Sequence, residues 1–218
     1  MAFSKELQQQ IREYVYGHLP RDEWYDDNFF PFIDDNSLRE RIITEFKNCR
    51  VIYKIFEGLQ AEEELLLAQI KTQVIMYVSI QEAVINYVLF EKYKDKPEVM
   101  SLLYQPRNVK IDIPEPKRLK LANVLQHDGK DILTFYSEIK PVDKTKIRYD
   151  QKVTTFYSLN LIDESMKDDL IKLYEYRNTV HIEAEMRKNL LYDLEMGQLA
   201  YRRVEGLSIQ IKNSMVHK

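Results

Sequence analysis

A chain of 218 residues with 44% hydrophobic and 11% aromatic residues is long enough to bury a core without crosslinks. Its 5 Gly and 7 Pro are too few for the turn-dense pattern of a sandwich or barrel, so helix is the expected class. A net charge of −3 argues against indiscriminate nucleic-acid binding, and the single Cys49 excludes an intrachain disulfide and fits a reducing cytoplasm.

The start, M-A-F-S-K-E-L-Q-Q-Q, lacks the basic and apolar runs of a secretory signal. Ser4 to Tyr16 reads as a short helix capped by Ser4, with Leu7, Ile11, Tyr14 and Val15 on one side. Residues 17–37 break the pattern: Pro20 and Pro31, the aromatics Trp24, Tyr25, Phe29, Phe30 and Phe32, and interleaved aspartates make an aromatic, acidic strap. It reads either as an ordered cover over bundle surface or as a lid for a basic cleft. EF-hand spacing is absent, so paired Asp residues do not point to calcium.

Ser37 is the expected cap of a helix that runs to Glu57 and ends at Gly58. Glu62 to Tyr93 is the longest helical signal, nearly apolar all round at its centre, and reads as the central helix of a bundle. Its polar interruptions and marginal length argue against a membrane span. Thr72, Ser79, Glu82 and Asn86 form one polar stripe along it. The stripe is either a solvated face, or it places Glu82 and Asn86 as supporting groups beside an inward arginine, with Glu82 as its counter-charge.

Residues 95–145 read as an irregular insertion between bundle helices within a single domain, 1–218. Pro97, Pro106, Pro114 and Pro116 cluster there, and Val109, Ile111 and Ile113 alternate like an extended piece. Leu121 and Leu125 fit a helical turn, and Ile132, Phe135, Tyr136 and Ile139 suggest a second short helical face. Lys96 to Lys152 carries 12 Lys/Arg against 8 Asp/Glu, net +4, whereas residues 1–65 carry 8 against 14, net −6. A basic segment on an acidic chain is either solvated surface or a local phosphate-binding face. His127 has no second His or Cys at ligand spacing, and no metal or other cofactor is expected.

Lys146 to Leu159 is a further helix, and Asp163 or Ser165 caps the next. That next helix carries Met166, Leu170, Leu173 and Tyr174 at helical spacing, followed by Arg177 and His181 on the same face. If the helix persists, those two lie about 40° apart, one turn above the other, and can hold one phosphate between them. The opposing reading is a helix C-terminus, where Arg and His favour the dipole and Asn178 ends the helix. From Glu183 to Lys212 a long amphipathic helix is expected, with a seam from Met186 through Leu190, Leu194, Gly197, Tyr201 and Val204 to Ile211.

The run L-Y-E-Y-R-N-T-V-H-I at 173–182, after the lead-in L-N-L-I-D-E at 159–164, resembles the HEPN superfamily over roughly Leu65 to Ile211, although the Arg-to-His interval is shorter than usual there. The resemblance implies an all-α, up-and-down bundle that dimerises with two motifs at one cleft, and metal-independent endoribonuclease activity on RNA in toxin–antitoxin or phage-defence systems. An antitoxin or nucleotidyltransferase partner is a further implication. Catalytic roles then fall to Arg177, Asn178 and His181: His181 as acid/base, Arg177 stabilising the phosphorane, Asn178 orienting the phosphate. The alternative is a non-catalytic helical module that binds a nucleotide or a partner protein. Walker, G-x-S-x-G and zinc signatures are missing. A homodimer through the central or last long helix is expected, and light scattering at micromolar concentration checks it: a monomer would remove the two-motif cleft.

Overall fold

A computed structural model describes residues 2–125, 130, 133–180 and 182–216. His127, Ile132 and His181, weighed above, lie outside the described residues. The chain is mostly helical with one small two-stranded sheet. It divides into two compact units, Met1–Lys94 with Arg148–Lys218, and Asp95–Ile147.

The first unit opens with α1 (Lys5–Gly17), whose Ser4 cap accepts from the Leu7 N–H, as the sequence suggests. The strap contains a short helix, α2 (Asp22–Asn28), that apolar periodicity did not reveal. Tyr25, Phe29, Phe30 and Ile33 are core residues, and Phe29 and Tyr25 meet Phe46 at ring-centroid distances of 4.5 and 6.2 Å. Phe30 holds φ at 50°, a left-handed conformation that costs about 1–2 kcal/mol for a side chain with a Cβ. Complete burial of its ring returns about 1.5–3 kcal/mol. The strap's backbone is satisfied from three sides: Arg39 donates to the carbonyls of Tyr25 and Phe29, Ser208 Oγ accepts from the Phe30 N–H, and the Tyr87 hydroxyl accepts from the Asp34 N–H.

Next comes α3 (Asn36–Gly58), capped by Asp35 rather than by Ser37, since the Asp35 carboxylate accepts from Leu38 N–H at 3.0 Å. Then α4 (Glu63–Tyr87) continues through a π-helical turn, Val88–Lys92. From Val74 to Phe90 its apolar side chains are largely buried within the protomer, among them Val74, Tyr77, Val78, Val84, Ile85, Val88 and Leu89. By length and composition Glu63–Lys92 could cross a membrane, but 61% of its most apolar window is buried inside the protein. Helix α3 packs on it, as do three later helices, α7 (Tyr149–Ser158), α8 (Glu164–Asn178) and α10 (Leu194–Val216). Cys49, fully buried on α3, has its thiol pushed up to about 12 by that burial.

After the second unit the chain resumes in α7 (Tyr149–Ser158), then α8 (Glu164–Asn178), α9 (Ile182–Lys188) and α10 (Leu194–Val216). The single long helix expected from Glu183 to Lys212 is therefore two. Asn189 adopts a left-handed φ of 49°, and Asp193 receives the Met196 N–H at 2.9 Å as a new cap. Met186 is accordingly 78% exposed, and the buried seam begins only at Met196.

The second unit holds α5 (Pro97–Leu103), β1 (Tyr104–Lys110), α6 (Glu115–Val124) and β2 (Phe135–Pro141). Strands β1 and β2 are antiparallel, with Tyr104 opposite Pro141 and Lys110 opposite Phe135. Phe135, Tyr136 and Ile139, read above as a helical face, are thus strand residues, and the purely α class gains a two-stranded sheet. A run this short with i, i+1 and i+4 apolar positions does not separate the two periods, and pairing with β1 decides it.

The Phe46 ring touches Tyr25, Phe29, Tyr77 and Tyr201 and so joins strap, α3, α4 and α10. Phe46→Ala should cost about 3–5 kcal/mol. Urea unfolding would register this as a lowered midpoint at unchanged slope.

Candidate functional site

The C-terminal end of α8 is built by its own sequence. Asp163 caps the N-terminus through the Met166 N–H at 2.7 Å, and Met166, Leu170 and Leu173 bury the inner face. The helix stops at Asn178. There the buried Thr179 donates its hydroxyl to the Tyr176 carbonyl at 2.8 Å, and the Tyr192 hydroxyl adds a second bond to the same carbonyl at 3.0 Å. Lys71 pairs with Glu185 at 2.7 Å and lies over the Tyr192 ring, tying α9 and this terminus to α4. α8 thus ends at Asn178 and does not persist to position 181, which lies outside the described residues.

Arg177 is half-buried. Its Nη1 donates to Asn178 Oδ1 at 3.3 Å, and its guanidinium carbon lies 5.4 Å from the Tyr174 ring centroid. Tyr174 stacks on the buried Tyr149 at 4.2 Å and 11°. A guanidinium laid on a ring keeps its in-plane N–H donors available, the geometry that suits a phosphate or carboxylate. Beside this group is a cavity of about 380 Å3 lined by residues that include Arg148, Tyr149, Tyr174, Asn178 and Lys188. Two of its cations are already neutralised, Arg148 by Asp150 at 2.9 Å and Lys188 by Glu175 at 3.5 Å. Among the described residues no carboxylate forms an ion pair with Arg177.

The expected Glu82–Arg177 pair is not formed. Glu82 acts instead on Tyr149, Lys152 and Tyr174, one layer further in. Burial, then Glu82, raises the Tyr149 phenol well above its ordinary value. Burial raises Tyr174 as well, with Glu82 adding and Arg177 opposing. Asn86, half-buried on the same side of α4, has an Oδ1 without a partner, as does the Tyr149 hydroxyl. Of the polar stripe, then, Glu82 acts on residues of α7 and α8, whereas Ser79 is exposed and bonds back to Met76.

Lys152 is the member that sequence reasoning missed. It is 3% exposed, lies 5.8 Å from the Phe90 ring centroid, and makes no ion pair among the described residues. Burial lowers its ammonium from the ordinary lysine value, and Glu82 pulls partly back. A lysine in a helix carries no sequence mark of burial, so only its position on the inner face of α7, beside Tyr149, Val153 and Phe156, could have pointed to it. Among the described residues no group of three or more His, Cys, Asp or Glu converges as metal ligands would. Searched against protein-family models, curated proteins and solved structures, the chain matches none of them.

A folded-state lysine value below the unfolded one penalises the native state fully at low pH, and the penalty is relieved as pH rises toward the ordinary lysine range. Lys152→Met should therefore raise stability by about 1 kcal/mol near neutral pH, with the gap over the wild type closing as pH rises. Urea titrations across that range test this, and a variant less stable than the wild type at neutral pH would mean that the charge is fully compensated.

Proposed function

We propose that the protein is a HEPN-type, metal-independent endoribonuclease whose site is the end of α8. The observation that carries the reading is Arg177, held on Tyr174 and by Asn178, with no described carboxylate to neutralise it, beside a cavity of small-ligand size. In this reading the RNA 2′-hydroxyl attacks the adjacent phosphorus, the 5′-oxygen departs, and a 2′,3′-cyclic phosphate is left. Arg177 stabilises the added negative charge on the phosphorane, Asn178 orients the phosphate, and His181 moves the proton. One histidine serves one proton role per step, so a homodimer with two motifs at a shared cleft supplies both base and acid. The up-and-down bundle, the cytoplasmic setting and a role in toxin–antitoxin or phage defence, with an antitoxin or nucleotidyltransferase as partner, belong to the same proposal. The mostly helical fold and the long helix α10 after the motif support it.

A second reading has its own support. α8 ends at Asn178, before position 181, and an Arg held on a ring and by an amide is by itself a binding element for a phosphate or carboxylate, which suits binding without cleavage. In that case the same cavity takes a nucleotide or a partner protein.

Incubation of the purified protein with total RNA and tRNA in EDTA separates the two. The nuclease reading expects products ending in a 2′,3′-cyclic phosphate, with rates reduced about 10²–10⁴-fold in both Arg177→Ala and His181→Ala while the fold is retained. Absence of cleavage with or without added metal, or a His181→Ala protein as fast as the wild type, would leave the binding reading in its place.

A further inference from the structure

A second cleft lies on the other side of α4. Gln73 and Tyr77 precede Glu82 and Asn86 by nine residues each, about half a turn in phase, so they face away from the Arg177 side. This cleft, about 370 Å3 and walled by α3, α4 and α10, is lined with groups that contradict a purely structural role.

Arg50 is its centre. The guanidinium carbon lies 4.7 Å from the Tyr201 ring centroid and 5.5 Å from that of Tyr53, and no described carboxylate pairs with it. Stacking occupies the faces of a guanidinium; of the five edge donors of Arg50 one is engaged by the Tyr77 hydroxyl, and the others are left for something else. Lys54 and Glu57 in the same cleft neutralise each other at 2.5 Å. Arg202, exposed at the rim, has no described ion pair. Three cations against one carboxylate leave the lining at net +2. The nearby Glu205 is engaged by the Tyr201 hydroxyl at 2.7 Å.

Gln73 supplies an independent observation. It is 2% exposed, lines this cleft, and its Nε2 has no hydrogen-bond partner. Leaving such a donor unsatisfied costs roughly 1–3 kcal/mol. Gly197, in the first turn of α10, leaves it room: a Cβ at that position would stand 3.0 Å from Gln73 Oε1 and oblige the amide to shift by a few tenths of an ångström. Glycine inside a helix costs about 0.5–1 kcal/mol relative to alanine. Both costs become intelligible if the amide is kept in place to donate to a ligand.

We propose that this cleft binds a small phosphomonoester carrying a planar ring. Two unneutralised arginines match a dianion, Arg50 and Gln73 present donors to acceptor oxygens, and the half-buried Tyr53 and Tyr201, whose faces carry Arg50, offer ring edges against which a planar ring can pack. The volume lies at the small end of ligand pockets, suited to one ring and one phosphate group. A mononucleotide and a simple aryl phosphate share this chemistry.

Calorimetric titration of the full chain with adenosine 5′-monophosphate and with phenyl phosphate tests the proposal, with inorganic phosphate and adenosine as the half-ligands. At least one of the two esters should bind about tenfold or more tightly than either half-ligand. That affinity should fall about tenfold or more in Arg50→Gln and measurably in Arg202→Glu, and stay unchanged in Arg177→Ala. Binding by only one ester identifies the source of the ring and supports the proposal equally. Arg202 is exposed, so its variant keeps the test decisive should Arg50→Gln fail to fold. No binding by either ester, an inorganic phosphate that binds as tightly, affinity indifferent to both arginine variants, or affinity lost in Arg177→Ala would each overturn it.

Discussion

Burial of α4 on nearly every side is the constraint from which the first unit follows. A helix with Val74, Val78, Val84, Ile85 and Leu89 at or near zero exposure cannot be left to water on any flank, so α3, α7, α8 and α10 must all find places on it. Each buried side chain of that size contributes about 1.5–3 kcal/mol. That sum tolerates what would be fatal in a thinner core: Gln73 Nε2, Gln81 Oε1 and Asn86 Oδ1 all lack partners on this one helix, at roughly 1–3 kcal/mol each. Gln81 is partly compensated by the hydrogen bond that its Nε2 donates to the Ala200 carbonyl at 3.1 Å, which also fixes how α10 sits against α4. The polar interruptions face two different layers, so one helix sets the depth of two separate sites.

Each of those sites is organised around a cation lying on tyrosine. Arg177 on Tyr174 and Arg50 on Tyr201 are both held by aromatic faces, an attraction that survives partial desolvation better than a hydrated ammonium would. A carboxylate partner would have stabilised either arginine more simply while using up its donors. Lys152 shows the opposite case. Its ammonium is enclosed, its compensation among the described residues comes from the Phe90 ring and the field of Glu82, and burial wins, driving its proton affinity down.

How much could be read from the residues depended on whether the determining partner was near in sequence. Ser4 and Asp163 cap helices through N–H groups three residues on, and both were among the caps the sequence suggested. Asp35 displaced Ser37 by the same local logic, two residues earlier, because both fit the cap pattern and only geometry chooses. Phe135 to Ile139 became a strand because of β1, some 30 residues away, and no window around them contains that information. The break between α9 and α10 turns on Asn189 accepting a left-handed backbone, a residue type that tolerates it but does not announce it. For the candidate site, Arg177, Asn178, Glu82 and Asn86 were visible as polar departures from apolar periodicity. Lys152 and the Tyr149–Tyr174 stack were not, because lysine and tyrosine are ordinary on helix surfaces and their burial is decided by which helix lands opposite.

Cys49 sits where α3 meets α4, with no exposed surface and its thiol pushed up to about 12. At neutral pH almost none of it is thiolate, the form that reacts, and no reagent can reach the sulfur while the two helices stay in contact. Alkylation of this single atom therefore waits on separation of the layer that carries the core. Its rate is a clock for the breathing of that layer, legible by mass spectrometry in a protein whose other 217 residues offer no competing thiol.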